Sequence, residues 1–303
     1  MTNKKYLLFF SITSLFWGGS FLGIHFALES FPPLTAAFLR ILICVVQIVG
    51  ILLFTNRQAF SHPLWRTAFF GGWLLIGLSW TCLFFGSHYL SPSLASILNA
   101  TVPFFVAIFT PLLIKNENLP LQKILGLAIG FLGITLIFYK DLIFSADSQK
   151  LYGVLLILGM AVFYALGTLA LRRTSSQIPL LTNLFYQALG ATVFLGILSL
   201  LIDHPWQIQT VSWKSIWALG YLGTFSTTLA WLMFFAIVRD KGAIYGSVTT
   251  YLAPIVSVLL DHWILHSDLT SQQFMGMALV LTGLLVVQLG ETLMRRWKKP
   301  LVI

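Results

Sequence analysis

Ten apolar runs, each close to the length that crosses a bilayer, constrain this chain more than any motif in it. They cover Tyr6 to Leu28, Leu34 to Phe54, Thr67 to His88, Ser93 to Ile114, Leu121 to Tyr139, Leu151 to Leu171, Leu180 to Ile202, Ser215 to Val238, Ala243 to Leu265 and Ser271 to Gly290. A helix rising about 1.5 Å per residue needs ~20 residues to traverse the hydrocarbon core, and these runs match that length. Backbone amides that face lipid must be satisfied within their own segment, and the alternation expected of barrel strands is absent. The expected fold is therefore all-α and polytopic, with ten transmembrane helices. Composition agrees: 58% of the 303 residues are apolar and only 9% charged, where soluble domains carry about a quarter charged residues. The bilayer is thus the expected solvent and partner for most of the surface.

The runs also repeat one another. Leu78, Trp80 and Phe84 recur 151 positions later as Leu229, Trp231 and Phe235, and Ser96, Asn99 and Pro103 recur at the same offset as Ser247, Thr250 and Pro254. Phe16, Pro32, Leu34, Thr35 and Phe38 are echoed 147 positions on by Phe163, Pro179, Leu181, Thr182 and Phe185. The halves meet at the polar stretch KDLIFSADSQK, so residues 1–139 form one five-helix unit, 140–150 a linker and 151–303 a second five-helix unit. An odd number of spans per unit makes the second copy enter from the opposite face. Inverted repeats of this kind have two equivalent arrangements, which is the design of a transporter.

Charge placement sets the expected topology. With loops assigned alternately to two sides, fourteen of the Lys and Arg residues collect on the side of both termini, against Lys140, Lys150 and Lys214 on the other, with Arg40 left inside a span. The positive-inside rule then makes both termini cytoplasmic. The net charge of +9 is explained by this bias, so no nucleic-acid partner is expected. Cys44 and Cys82 fall within spans with no metal-type spacing. The first run continues past its small residues to Leu28 and nine more follow, so it is read as a helix and not a cleaved leader.

Several polar and aromatic residues stand out against this background. Ser96 with Asn99, and Ser247 with Thr250, place a hydroxyl and a second polar group one turn apart before Pro103 and Pro254. A proline releases the carbonyl four residues back, so each site is an expected helix break with polar groups near mid-membrane. Trp80 with Phe84, and Trp231 with Phe235, put two aromatics on one helix stripe. That stripe continues to Ser87 and His88 in the first copy and begins with Thr224 and Thr228 in the second, which suits a wet cavity better than lipid. Trp17 and Tyr164 are a further pair related by the repeat. Arg40 and Asp261 are charges inside spans, each expensive there and each expected to find a partner, with one another as a candidate pair, or a water-filled cavity. His262 and His266 stand four apart beside Asp261 on one expected helix face, but Trp263 occupies the place where a zinc protease needs glutamate. No metal site and no cofactor is expected; there is no phosphate-binding glycine loop, dinucleotide fingerprint or nucleophile elbow.

The order of these features resembles the EamA-type members of the drug/metabolite transporter superfamily. The matching residues are Phe16-Trp17-Gly18, Pro33-Leu34 followed by Arg40, and the small-residue stretches ending in Pro103 or Pro254 with Glu117 or Asp268 fourteen positions later. The resemblance implies an exporter or exchanger of small metabolites in a bacterial inner membrane, with a central cavity that uses Trp17, Trp80, Asn99, Tyr164, Trp231, Thr250 and Tyr251. The chain departs from the family in its Asp261, His262, His266 cluster, where the first half has Pro111 and Lys115.

The expected function is secondary transport of a small metabolite, such as an amino acid or organic cation, by alternating access and without catalysis. Trp17, Trp80, Phe84, His88, Asn99, Tyr164, Trp231, Phe235, Thr250 and Tyr251 are the expected substrate contacts. Arg40, Asp261 and His262 are assigned to charge or proton coupling, with a coupling proton or counter-substrate as the second partner. A membrane-embedded enzyme acting on a lipid-linked substrate, or a passive channel, are the alternatives.

Overall fold

A computed structural model of the chain describes residues 1–55, 57–114, 120–144, 148–266 and 270–297. Among them, ten long helical elements follow in chain order. These are α1 (Asn3–Leu28), α2 (Pro33–Thr55), α3 (Trp65–Tyr89), α4 (Pro92–Leu113), α5 (Leu121–Phe144), α6 (Ser148–Thr174), α7 (Leu180–Asp203), α8 (Trp213–Lys241), α9 (Ala243–Leu265) and α10 (Ser271–Trp297). Eight are long and apolar enough to cross a membrane; α5 and α10 contain the shorter apolar stretches Leu121–Gly133 and Phe274–Gly283. No strand occurs among the described residues. The stretch 140–150 is not an extended linker. Residues 140–144 continue α5 and 148–150 begin α6, because nothing in KDLIF or SQK stops a helix; the three positions between lie outside the described residues.

Lipid tails are as apolar as leucine, so close packing and hydrogen bonds, and not hydrophobic burial, hold such helices together. The α5–α10 pair shows how. A Cβ added to Gly283 would stand 2.4 Å from the Gly126 carbonyl oxygen, and one added to Gly133 would stand 2.7 Å from that of Gly276. The two backbones touch where only glycine fits. Elsewhere α1 packs against α8 and α9, α3 and α4 pack against α6, α2 meets α7 and α8, α3 meets α7, and α4 meets α9. Replacing each helix by the one five places away in the chain returns the same set of pairs.

Helices α3, α4, α8 and α9 change register inside the bundle. Residues Trp73–Leu78 of α3 and Thr224–Leu229 of α8 are π-helical, and the two stretches begin 151 positions apart. Helix α4 is interrupted at Ala100 and Thr101, and α9 passes through a 3-10 turn at Val248–Tyr251. Pro103 and Pro254 sit in the first turn of the segments that resume, Val102–Leu113 and Ala253–Leu265. Proline fits there, since its missing amide would have no intrahelical acceptor.

Candidate functional site

Residues beside the irregular segments, with Thr250 inside one of them, help to line one cavity of about 40 Å3. Its walls are Trp17, Ser20 and Phe21 of α1, Arg40 of α2, Trp80 and Leu83 of α3, Asn99 of α4, Met160 and Tyr164 of α6, Trp231 of α8 and Thr250 of α9. The aromatic rings meet edge to face: Trp17 with Tyr164 at 6.2 Å, Trp80 with Trp231 at 6.0 Å and Tyr164 with Trp231 at 6.0 Å between centroids. This is the arrangement that the ring quadrupole favours.

Arg40 is the charged residue in this wall, only 3% exposed. Its Nε donates to the Thr227 hydroxyl at 2.8 Å, and its Nη2 to the Ser226 hydroxyl at 2.9 Å and the Ser226 carbonyl at 3.4 Å. The guanidinium Cζ lies over the Trp80 ring, 4.1 Å from its centroid. The cradle for Arg40 comes from the π-helical stretch of α8. There the Thr227 and Thr228 hydroxyls donate to the carbonyls five residues back, Leu222 and Gly223, at 2.6 and 2.9 Å. The Ser226 carbonyl also accepts from the Trp17 indole at 3.1 Å.

Trp17, Trp80, Asn99, Tyr164, Trp231 and Thr250 thus share the cavity, while four other expected substrate contacts do not line it. Phe84 and Phe235 are fully buried behind Trp80 and Trp231, with centroids 6.3 and 5.7 Å away, because a residue one turn on points along the helix and past the cavity. Tyr251 is buried with its ring against Gly130 of α5. His88 is exposed near the end of α3, stacked edge-on with Tyr89. The hydroxyls of Ser96, Ser247 and Thr250 donate to Ser93, Ile244 and Ser247 carbonyls of their own helices, which leaves them satisfied locally.

The charge assignments change as well. Arg40 and Asp261 do not meet: Arg40 is held by α8, and the Asp261 carboxylate accepts from the Ser93 hydroxyl of α4 at the opposite end of the bundle from the termini. Helix α9 stops at Leu265, and His266 caps it in the left-handed conformation at φ 54°. His262 and His266 therefore share no helix face. Thr224 and Thr228 also miss the cavity; Thr224 accepts from Gln47 of α2 at 2.7 Å, since the π turn rotates the stripe that a 3.6-residue period implies. Ser226 and Thr227, unremarked in the sequence, face Arg40 instead. The signal was the hydroxyl run TFSTTL before Trp231.

Polar contacts join the halves at both ends of the bundle. At the end bearing the termini, Arg173 Nε donates to the Leu113 carbonyl at 3.1 Å, while Arg172 ties α6 to α8 within the second half through the Arg239 and Val238 carbonyls at 2.6 and 3.2 Å. At the other end Lys214 pairs with Glu29 at 2.8 Å, and Asp203 accepts from the Thr35 amide at 2.7 Å, capping α2.

The pattern of the EamA-like transporter family is matched twice, by residues 4–139 and by residues 151–289. The chain is 28% identical over 290 residues to an uncharacterized transporter, YvbV, of Bacillus subtilis (strain 168), covering 94% of this chain and 92% of that one. It is 26% identical over 282 residues to YedA of Escherichia coli (strain K12), named an uncharacterized inner membrane transporter, covering 92% and 89%. A solved crystal structure superposes with a TM-score of 0.79 at 17% identity, covering 98% of this chain and all of the other, and shares its fold. Apolar helices of spanning length, a polar-and-aromatic cavity among them and the doubled family match agree: this multi-pass membrane protein belongs to the EamA-like transporter family.

Proposed function

We propose that this chain is a secondary active transporter, an exporter or exchanger of small metabolites such as amino acids or organic cations, working by alternating access. The observation that carries the reading is one small aromatic cavity built from both halves, with polar contacts joining the halves at both ends of the bundle. At about 40 Å3 it is far below the roughly 300 Å3 at which ligand sites begin. A metabolite enters only when the halves part at one end. Helix pairs that map onto themselves under a five-place shift support two inverted five-helix repeats as the moving parts. The basic residues gathered at the end that bears the termini support a cytoplasmic position for both, in a bacterial inner membrane. Asp261, buried with Ser93 as its hydrogen-bond donor, is the proposed proton-coupling carboxylate, with His262 beside it.

Proteoliposomes supplied with a panel of labelled amino acids and organic cations test this. Expected is saturable uptake, accelerated by the same compound inside. Trp80→Ala and Trp231→Ala should each lower it about tenfold with the protein level unchanged, the worth of one lost aromatic contact. Flux that does not saturate would mark a channel and end the proposal.

A further inference from the structure

Arg40 has more hydrogen-bonding capacity than the protein uses. A guanidinium carries five N–H donors; Nε and Nη2 are spent on Thr227 and Ser226, whereas Nη1 is buried with no partner. The Tyr164 hydroxyl, in the wall of the same cavity, is also buried without a partner. Leaving such groups unpaired in a low-dielectric site is costly, and more so for a charged donor. The Trp80 ring, 4.1 Å from the Arg40 Cζ, offers no hydrogen-bond acceptor atom, so Nη1 keeps both of its N–H donors for a ligand.

A purely structural role would be expected to recur with the repeat. It does not. The 147-residue offset that relates Pro32 to Pro179 and Phe38 to Phe185 relates Arg40 to Gln187, and the 151-residue offset relates Ser226 and Thr227 to Leu75 and Ile76. The cation and its hydroxyl cradle therefore occur together and once, while the cavity wall contains no acidic side chain to neutralise them. An acceptor-only, negatively charged group fits two N–H donors beside a phenol; a guest with only an ammonium meets like charge.

We infer that Arg40 anchors a carboxylate of the transported molecule, with Tyr164 donating a second hydrogen bond, so that the substrates are small carboxylates with an apolar or aromatic body. The inference rests on the transport reading above and narrows it against organic cations.

Three labelled compounds with one phenyl body separate the possibilities: 3-phenylpropionate, 3-phenylpropionamide and phenethylammonium, each tested for uptake by proteoliposomes. Expected is uptake of the carboxylate at least about tenfold above the amide and the ammonium, the preference that one charge-assisted hydrogen bond gives. In Arg40→Gln and in Tyr164→Phe that carboxylate-to-amide ratio should fall toward one. Tyr164→Phe keeps the ring and removes only the hydroxyl, so it reports even where Arg40→Gln fails to fold. Lower uptake of all three compounds in both variants, at an unchanged ratio, would make Arg40 and Tyr164 packing residues and overturn the inference. Preference for phenethylammonium would overturn it while leaving transport standing. Uptake of none of the three, nor of any compound in the wider panel, would defeat the transport reading itself.

Discussion

The π-helical stretches of α3 and α8 stand at related positions, yet they do different work. Residues Trp73–Leu78 read WLLIGL and are apolar; residues Thr224–Leu229 read TFSTTL and carry the hydroxyls that hold Arg40. In both, hydroxyls bond back to carbonyls of their own helix, four residues back in α3 (Ser79 to Leu75, Thr81 to Gly77) and five back in α8 (Thr227 to Leu222, Thr228 to Gly223). The backbone device is shared by the two halves and the chemistry is not. Duplication supplies the geometry of a pocket, and divergence at a few side chains gives it a charged end.

That contrast can be broken experimentally. Replacing both Ser226 and Thr227 by valine leaves a buried guanidinium without hydroxyl partners, a change expected to cost several kcal/mol, on the scale of about 3 to 5 for a broken buried charge pair. Shortening the related residues, Leu75→Val with Ile76→Val, should cost about 0.5 to 1.5 kcal/mol per site. Thermal unfolding in detergent compares them, and equal shifts in Tm would mean that Arg40 draws nothing from its cradle.

A smaller effect is expected where the halves behave alike. Gly283→Ala and Gly133→Ala each push a methyl into the facing backbone of α5 or α10, at about 1 to 3 kcal/mol. Their Tm shifts should match within error, and Gly220→Ala, with nothing within 4 Å of its added carbon, should show none of this loss. Gln187→Leu should cost less still. The Gln187 amide oxygen has no partner and its nitrogen reaches only Asn183, so about 1 kcal/mol or less is at stake, in contrast to Arg40. Smallest of all is Lys214→Ala: the ion pair with Glu29 is half exposed on both sides, and such pairs contribute at most about 1 kcal/mol. A large Tm loss there would show that the far end of the bundle is held by charge and not by the capping and packing around Asp203.

Much of the fold was legible in the residues because bilayer thickness ties apolar length to a helix. The ten runs coincide with the ten long helical elements to within a few residues at most ends. The duplicated Trp80, Asn99, Trp231 and Thr250 lead to a single cavity because repeated aromatics and polar groups mark what both halves contribute. What stayed illegible depends on register. A stripe drawn at 3.6 residues per turn selects Thr224 and Thr228, but one π turn brings Ser226 and Thr227 to Arg40 instead. Likewise His266 follows a helix end that no glycine or proline announces, so its spacing from His262 implied a shared face that the left-handed cap removes. The partners of Arg40 and Asp261 were beyond reach for a different reason: both lie more than 160 positions away in sequence.

The central claim is that the cavity between the halves opens to each side of the membrane in turn. Ser20 lines it, and its hydroxyl bonds only to the Trp17 carbonyl one turn back, so Ser20→Cys is a mild change there. In a background of Cys44→Ala and Cys82→Ala, reconstituted protein should be modified by a membrane-impermeant maleimide added from either side, and a transported compound should slow both reactions. Modification from one side alone, under every condition, would contradict alternating access.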